Sequence, residues 1–103
     1  MTALGPFQEF WDVWDAADAQ IKHRPLSHFR NAFETQFDEL VDHLTAPFPD
    51  REAAAREATD IISIALNLMR RLGFEPSEVA EIARRRAETR MNGRTTEILE
   101  KYP

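Results

Sequence analysis

Three acidic side chains lie at the predicted margin of an apolar core. Glu57 and Asp60 are spaced i and i+3, so they project from one side of a helix, and Glu39 belongs to the preceding helix. If the two helices pack antiparallel, as their short connection favours, the three carboxylates converge. Clustered carboxylates need a neutralising cation, and oxygen ligands without sulfur favour Mg²⁺ or Mn²⁺. The spacing therefore predicts a divalent-metal site, with ordinary solvated acids as the alternative.

The elements that position these acids are predicted to be helices, because apolar residues recur at three- and four-residue spacing between proline and glycine breaks. We expect helices over about residues 6–22, 27–45, 51–72 and 76–92, and a short one over residues 95–102. Four helices of unequal length with short connections predict an all-α fold, a four-helix-type bundle with a short C-terminal helix.

Two apolar surfaces of this pattern are too large for one small bundle to cover. The first helix carries a stripe that includes Phe7, Phe10, Trp11 and Trp14, and the third helix is apolar through half of its circumference. The tryptophans could stack on a base, although core or interface packing is the simpler interpretation. Because contiguous apolar surface tends to be covered, we expect a homo-oligomer.

Length and composition exclude several classes of protein. The 103 residues fit one domain, residues 1–103, and a hydrophobic share of 43% argues against disorder. Without cysteine there are no disulfides and no cysteine metal sites, which fits a cytoplasmic protein. The net charge is −7 over residues 1–60 and +2 over residues 61–103, which argues against nucleic-acid binding. The longest apolar stretch, residues 61–69, is far shorter than the ~20 residues that span a bilayer.

Three segments carry a resemblance to a known family. They read Phe-Asp-Glu-Leu-Val-Asp at residues 37–42, Glu-Ala-Thr-Asp-Ile-Ile at residues 57–62 followed by Ala-Leu-Asn-Leu, and Arg-Leu-Gly-Phe-Glu at residues 71–75 before an arginine-rich helix. Over residues 29–102 the chain resembles the MazG-like, all-α nucleoside triphosphate pyrophosphohydrolases. The resemblance implies a homodimer or homotetramer that uses Mg²⁺ to hydrolyse a (deoxy)nucleoside triphosphate to a monophosphate and pyrophosphate.

The resemblance also assigns roles residue by residue. It makes Glu39, Glu57 and Asp60 the metal ligands, with Glu39 or Glu57 orienting or deprotonating the attacking water. Family members pair Glu-x-x-Glu on one helix with Glu-Glu-x-x-Asp on the next, whereas this chain has Gln36 and Arg56 at the two outer positions. These departures favour an alternative, a non-catalytic binding or assembly module that keeps the fold and has lost turnover.

The remaining candidates would contact the nucleotide. Gln36, one helical turn before Glu39, can offer a carbonyl oxygen, and Asn67 could bind a base or ribose edge or be a satisfied core amide. The resemblance assigns phosphate binding to Arg86 and Arg90. Both also continue an apolar stripe, and arginine forks suit phosphate oxygens, although ion pairs with nearby acids would equally account for them. A shifted register, in which Asp42 joins the first motif, is a second choice because Asp42 projects away from the apolar arc.

Overall fold

A computed structural model of the chain describes residues 2–102, and within that range the protein is helical without a strand, which confirms the all-α prediction. In chain order the helices are α1 (Gln8–Asp12), α2 (Asp18–Lys22), α3 (Leu26–Thr45), α4 (Arg51–Arg71), α5 (Pro76–Arg85) and α6 (Thr95–Lys101). The long helices α3 and α4 form an antiparallel hairpin, and α1 and α2 pack on α4. Within the described range, no helix is both long and apolar enough to cross a membrane.

Helix α4 begins and ends next to residues that the sequence predicts as its N-cap and its stop, Asp50 and Gly73. Asp50 caps the first turn, since its Oδ1 accepts a hydrogen bond from the backbone N–H of Ala53 at 2.9 Å. At the other end Gly73 has φ +94°, a conformation that a side chain would strain. The backbone N–H of Gly73 donates to the carbonyl of Arg70 at 3.0 Å, which closes the helix.

The predicted helix over residues 6–22 is not continuous, and this prediction is wrong in detail. Helix α1 ends at Asp12, and a 3-10 turn over Asp15–Ala17 precedes α2. The carbonyl of Trp11 accepts hydrogen bonds from the backbone N–H of Trp14 at 3.2 Å and from Nη2 of Arg70 at 2.6 Å. The buried Arg70 guanidinium of α4 thus takes the Trp11 carbonyl as its hydrogen-bond acceptor. This tertiary contact interrupts the helix that the apolar periodicity of residues 6–22 predicts.

The predicted helix over residues 76–92 also changes character along its length. Helix α5 ends at Arg85 and continues as a π-helical turn over Arg86–Met91, in which the backbone N–H of Asn92 donates to the carbonyl of Ala87 at 2.9 Å. This segment packs chiefly on α5 itself. Arg86 and Arg90, the predicted phosphate-binding residues, therefore lie in this π-helical turn.

Candidate functional site

The antiparallel hairpin brings carboxylates of α3 and α4 together. Glu39 on α3 and Glu57 on α4 are close enough to share a hydrogen bond between their carboxyl groups, and the charge of Asp60 acts on the same pair. The Glu57 side chain is only 16% exposed, and its Oε1 lies 3.6 Å from Nε2 of His43. We call Glu39, Glu57 and Asp60 the acidic cluster.

The neighbouring Glu57 carboxyl raises the pKa of Glu39. The hydrogen bond with the Glu57 carboxyl is the largest cause, and repulsion by the Glu57 charge is the second. Partial desolvation and the charge of Asp60 act in the same direction, whereas His43 opposes them. The cluster therefore has excess negative charge that a proton or a cation would relieve.

The oxygens of this region suit a hard cation. Oε2 of Glu57 and Oε1 of Gln36 are buried and have no hydrogen-bond partner within the described part of the chain. A buried acceptor without a donor is costly, and carboxylate and amide oxygens are the donors that Mg²⁺ prefers. Among residues 2–102 no three His, Asp or Glu side chains are arranged so that they could hold a metal as they stand. The ligand roles of Glu39, Glu57 and Asp60 remain a prediction.

A cavity of about 380 Å³ adjoins the acidic cluster: Asp60 of the cluster lines it, together with Gln36. Its volume lies in the range of roughly 300–1,000 Å³ that is usual for small-molecule sites. Phe29 and Asn67 of the hairpin line one side of the cavity, and Trp14 lines the other. The lining thus combines aromatic faces with amide groups, next to a region rich in carboxylates.

Helix α2 and the turns on either side of it, within residues 14–24, supply the outer wall of the cavity, and polar contacts hold this wall against α4. Nε1 of Trp14 donates to Oγ of Ser63 at 3.1 Å. Nε of Arg71 donates to the carbonyl of Arg24 at 2.8 Å. The wall formed by residues 14–24 is thus hydrogen-bonded to α4 near both of its ends.

The most extensive set of contacts between the N-terminal segment and α4 is the Arg70 cluster, formed by Arg70, Trp11, Asp15 and Asp18. The Arg70 guanidinium is 4% exposed and lies 4.4 Å from the centre of the Trp11 ring. Its nitrogens lie 2.9 Å from Asp15 and 2.8 Å from Asp18. The hydrogen bond from Arg70, followed by that from Lys22, lowers the pKa of Asp18.

Comparison with known proteins finds no relative of this chain. No family model, no curated protein and no solved structure matches the chain. The MazG-like resemblance therefore rests on the three sequence segments alone, and the site is interpreted from its own geometry.

Arg86 and Arg90, the predicted phosphate-binding residues, do not line the cavity. Arg86 is exposed and Arg90 is half-buried in the π-helical turn. Neither forms an ion pair with a described residue, so the alternative of an ion pair with a nearby acid is not found there either. Their role in phosphate binding remains a prediction.

Sequence reasoning missed the residues that build the cavity wall. In the sequence Arg70 resembles any basic residue in the last turn of a helix. Its partners Asp15 and Asp18 are more than fifty residues away along the chain, so no local pattern indicates the contact. One signal was available for His43, which follows Gln36 and Glu39 on the same stripe of α3 and lies beside Glu57. Trp14, one of the aromatic residues for which base stacking is the alternative interpretation, lines the cavity, and its stacking role stays a prediction.

Proposed function

We propose that this chain is a Mg²⁺-dependent nucleoside triphosphate pyrophosphohydrolase that cleaves a (deoxy)nucleoside triphosphate to a monophosphate and pyrophosphate. One observation carries the proposal, the position of the acidic cluster at the side of a cavity of about 380 Å³. A nucleotide has the matching shape and charge, since a planar base is joined to a chain of phosphates that carries metal. The resemblance of three sequence segments to MazG-like enzymes supports the same conclusion.

Each part of the site then has a chemical role. The Mg²⁺ ion would be held by Glu39, Glu57 and Asp60, and when bound it would neutralise phosphate charge. The base would lie between the aromatic and apolar walls of the cavity, with Asn67 at one of its polar edges. Glu39 or Glu57 would orient or deprotonate the water that attacks the substrate, so that the phosphoanhydride bond between the α and β phosphates breaks.

The arginines complete the proposed reaction only if they approach the phosphates. Arg86 and Arg90 are free of ion pairs within the described chain, so they keep their capacity to bind phosphate. Because they lie outside the cavity, they would reach the pyrophosphate through movement of the segment that follows α5 or from another copy.

Pyrophosphate release tests the proposal directly. Canonical and modified triphosphates are incubated with the protein, with and without Mg²⁺, and the monophosphate and pyrophosphate are quantified. Glu57→Gln should lower turnover at least about 100-fold, the usual scale for losing a charge that stabilises a transition state. Glu52→Gln is the matched control on the same helix, because Glu52 is exposed and pairs only with Arg56 at 3.6 Å. Turnover that is independent of Mg²⁺, or equal loss in both variants, would contradict the proposal.

A non-catalytic module is the second candidate, and the incomplete metal geometry favours it. Within residues 2–102 no metal-binding arrangement is preformed, and Gln36 and Arg56 replace acids of the related motifs. This candidate predicts that triphosphates bind in the cavity without pyrophosphate release. Ala32→Phe, which fills the cavity from α3, should then abolish nucleotide binding while the protein remains folded.

A further inference from the structure

The cavity beside the acidic cluster is elongated, and its two ends differ in chemistry. Gln36 and Asp60 line the end next to the acidic cluster. His28 lies two helical turns before Gln36 on α3, about 12 Å away along the helix axis. Asn67 lies two turns after Asp60 on the antiparallel α4, about 10 Å away in the same direction. We call the end lined by Arg24, His28 and Asn67 the distal end.

Arg24 supplies the positive charge of the distal end. Its carbonyl accepts a hydrogen bond from Nε of Arg71 at 2.8 Å, which places residue 24 at the C-terminal end of α4, beyond Asn67. Within residues 2–102 the Arg24 guanidinium forms no ion pair and no hydrogen bond. A guanidinium has five N–H donors and no acceptor. The distal end therefore offers donors that no described residue occupies.

The other two polar groups of the distal end are less selective than Arg24. Asn67 is half-buried, and its side chain has no hydrogen bond in the described part of the chain. An amide can turn either its oxygen or its N–H groups toward a ligand, and the neutral His28 ring has one donor and one acceptor. Arg24 can only donate. Discrimination between ligands that reach the distal end therefore depends on Arg24.

A nucleoside triphosphate would bring the outer edge of its base to the distal end. This step rests on the proposed function, which puts the phosphates at the acidic cluster. Guanine and hypoxanthine present two acceptors at that edge, O6 and N7, which match the parallel N–H groups of a guanidinium. Adenine has an amino group in place of O6, and cytosine has an amino group at C4. With either of these bases a donor would face the donors of Arg24.

We propose that Arg24 selects the base of the substrate, and that this chain prefers the (deoxy)nucleoside triphosphates of the 6-oxopurines guanine and hypoxanthine. The guanidinium donates to O6 and N7 of the base, and the amide oxygen of Asn67 is available to the N1–H group that a 6-oxopurine has and adenine lacks. A base with an amino group at this position leaves donors unpaired and is disfavoured. Arg24 is thus a specificity residue and takes no part in breaking the phosphoanhydride bond.

Turnover of a nucleotide panel tests the preference. In the wild type, kcat/KM for dGTP and dITP should exceed that for dATP and dCTP by at least about tenfold, the low part of the range for a bidentate contact, because Arg24 is exposed. Arg24→Met should remove the preference by lowering kcat/KM for dGTP and dITP only. An unchanged preference in Arg24→Met, or turnover of dUTP equal to that of dGTP, would overturn the proposal.

Arg30→Met is the matched control for Arg24→Met. Arg30 is also exposed and forms no ion pair within residues 2–102, but it lies outside the cavity. This variant loses the same charge and should keep the wild-type preference. Equal loss of the preference in both variants would show that the net charge, and not the position of Arg24, controls selection.

Binding of nucleosides without Mg²⁺ separates this inference from the proposed hydrolysis. In NMR titrations deoxyinosine should bind at least about tenfold more tightly than deoxyadenosine, and Arg24→Met should abolish the difference. If this pattern holds but no triphosphate is hydrolysed, the proposed hydrolysis is wrong and the role of Arg24 is supported. If triphosphates are hydrolysed but the two nucleosides bind equally, the proposed hydrolysis is supported and the role of Arg24 is wrong.

Discussion

Replacing Arg70 with methionine should lower the free energy of unfolding by about 3 kcal/mol, because this one side chain holds the N-terminal segment against α4. The guanidinium donates to Asp18 at 2.8 Å and to the carbonyl of Trp11 at 2.6 Å, and it pairs with Asp15 at 2.9 Å. It is buried to 4% exposure, so water does not compete for these contacts. Methionine can still pack on the Trp11 ring but makes none of the polar contacts.

The magnitude follows from which groups lose their partners. Breaking a buried, hydrogen-bonded ion pair costs about 3–5 kcal/mol when a charge remains uncompensated in the interior. The low end applies here because Asp15 and Asp18 are partly exposed and regain water. In addition Nε of Arg70 is buried without an acceptor, so its desolvation cost is removed together with the side chain.

Urea denaturation and thermal melting at fixed protein concentration measure the effect. At about 4–8 °C for each kcal/mol in a chain of this length, the loss corresponds to roughly 12–24 °C in Tm. Arg56→Met is the matched control, since Arg56 is exposed and its only described pair, with Glu52, spans 3.6 Å; its cost should stay below about 0.5 kcal/mol. If Arg70→Met and Arg56→Met lowered stability equally, the reasoning about the Arg70 cluster would be refuted.

Hydrogen exchange distinguishes local opening of α1 and α2 in Arg70→Met from a loss of stability across the whole fold. The amides of α1 and α2 should lose protection in Arg70→Met well before those of α3, because the contacts of Arg70 all go to the N-terminal segment. Equal loss across α3 and α4 would show that Arg70 supports the whole fold. Nucleotide binding should weaken in parallel with the local opening, since Trp14 lines the cavity from this segment.

Three further predictions follow from the charged groups. Arg70 lowers the pKa of Asp18, so the stability gap between wild type and Arg70→Met should narrow as pH falls below about 4 in urea titrations, and a gap independent of pH would count against the pair. Folding raises the pKa of Glu39, so the ionised Glu39 side chain opposes folding at neutral pH. Glu39→Gln should therefore raise the Tm of metal-free protein at pH 8. At pH 3 the Tm should be unchanged, because residue 39 is uncharged in both the wild type and the variant. Gln36→Glu should bind Mg²⁺ at least as tightly as wild type in calorimetric titration, because the new carboxylate faces the same cluster, and weaker binding would place the metal elsewhere.

The two long helices could be predicted because the sequence signals that define them lie within the helices or at their ends. Periodic apolar residues, the cap at Asp50 and the stop at Gly73 define α4 within one or two residues, and the short connection fixes its antiparallel contact with α3. The same logic placed Glu39 near Glu57, since two helices with known apolar faces can meet in few ways. That part of the site is a consequence of helical geometry.

The remainder of the site depends on contacts that periodicity does not encode. The segment over residues 6–22 has a helical pattern, but it breaks so that Trp11 and Asp15 can reach Arg70, which is more than fifty residues later in the chain. The cavity exists only because of this break. Similarly, the prediction that Arg86 and Arg90 continue the apolar stripe of α5 assumes a regular α-helix, whereas residues Arg86–Met91 form a π-helical turn that changes the side-chain spacing.

Helix α4 carries two groups of charged residues that differ in a way that bears on function. In the Arg70 cluster opposite charges meet, since Arg70 pairs with Asp15 and Asp18 and donates to a carbonyl, so stability alone accounts for the group. In the acidic cluster, by contrast, like charges meet, the pKa of Glu39 is raised by Glu57, and Glu57 retains a buried oxygen without a donor. Folding gains nothing from such an arrangement, and perturbed groups of this kind concentrate at functional sites. The acidic cluster is therefore the part of the molecule to which the proposed function assigns a cation and a substrate.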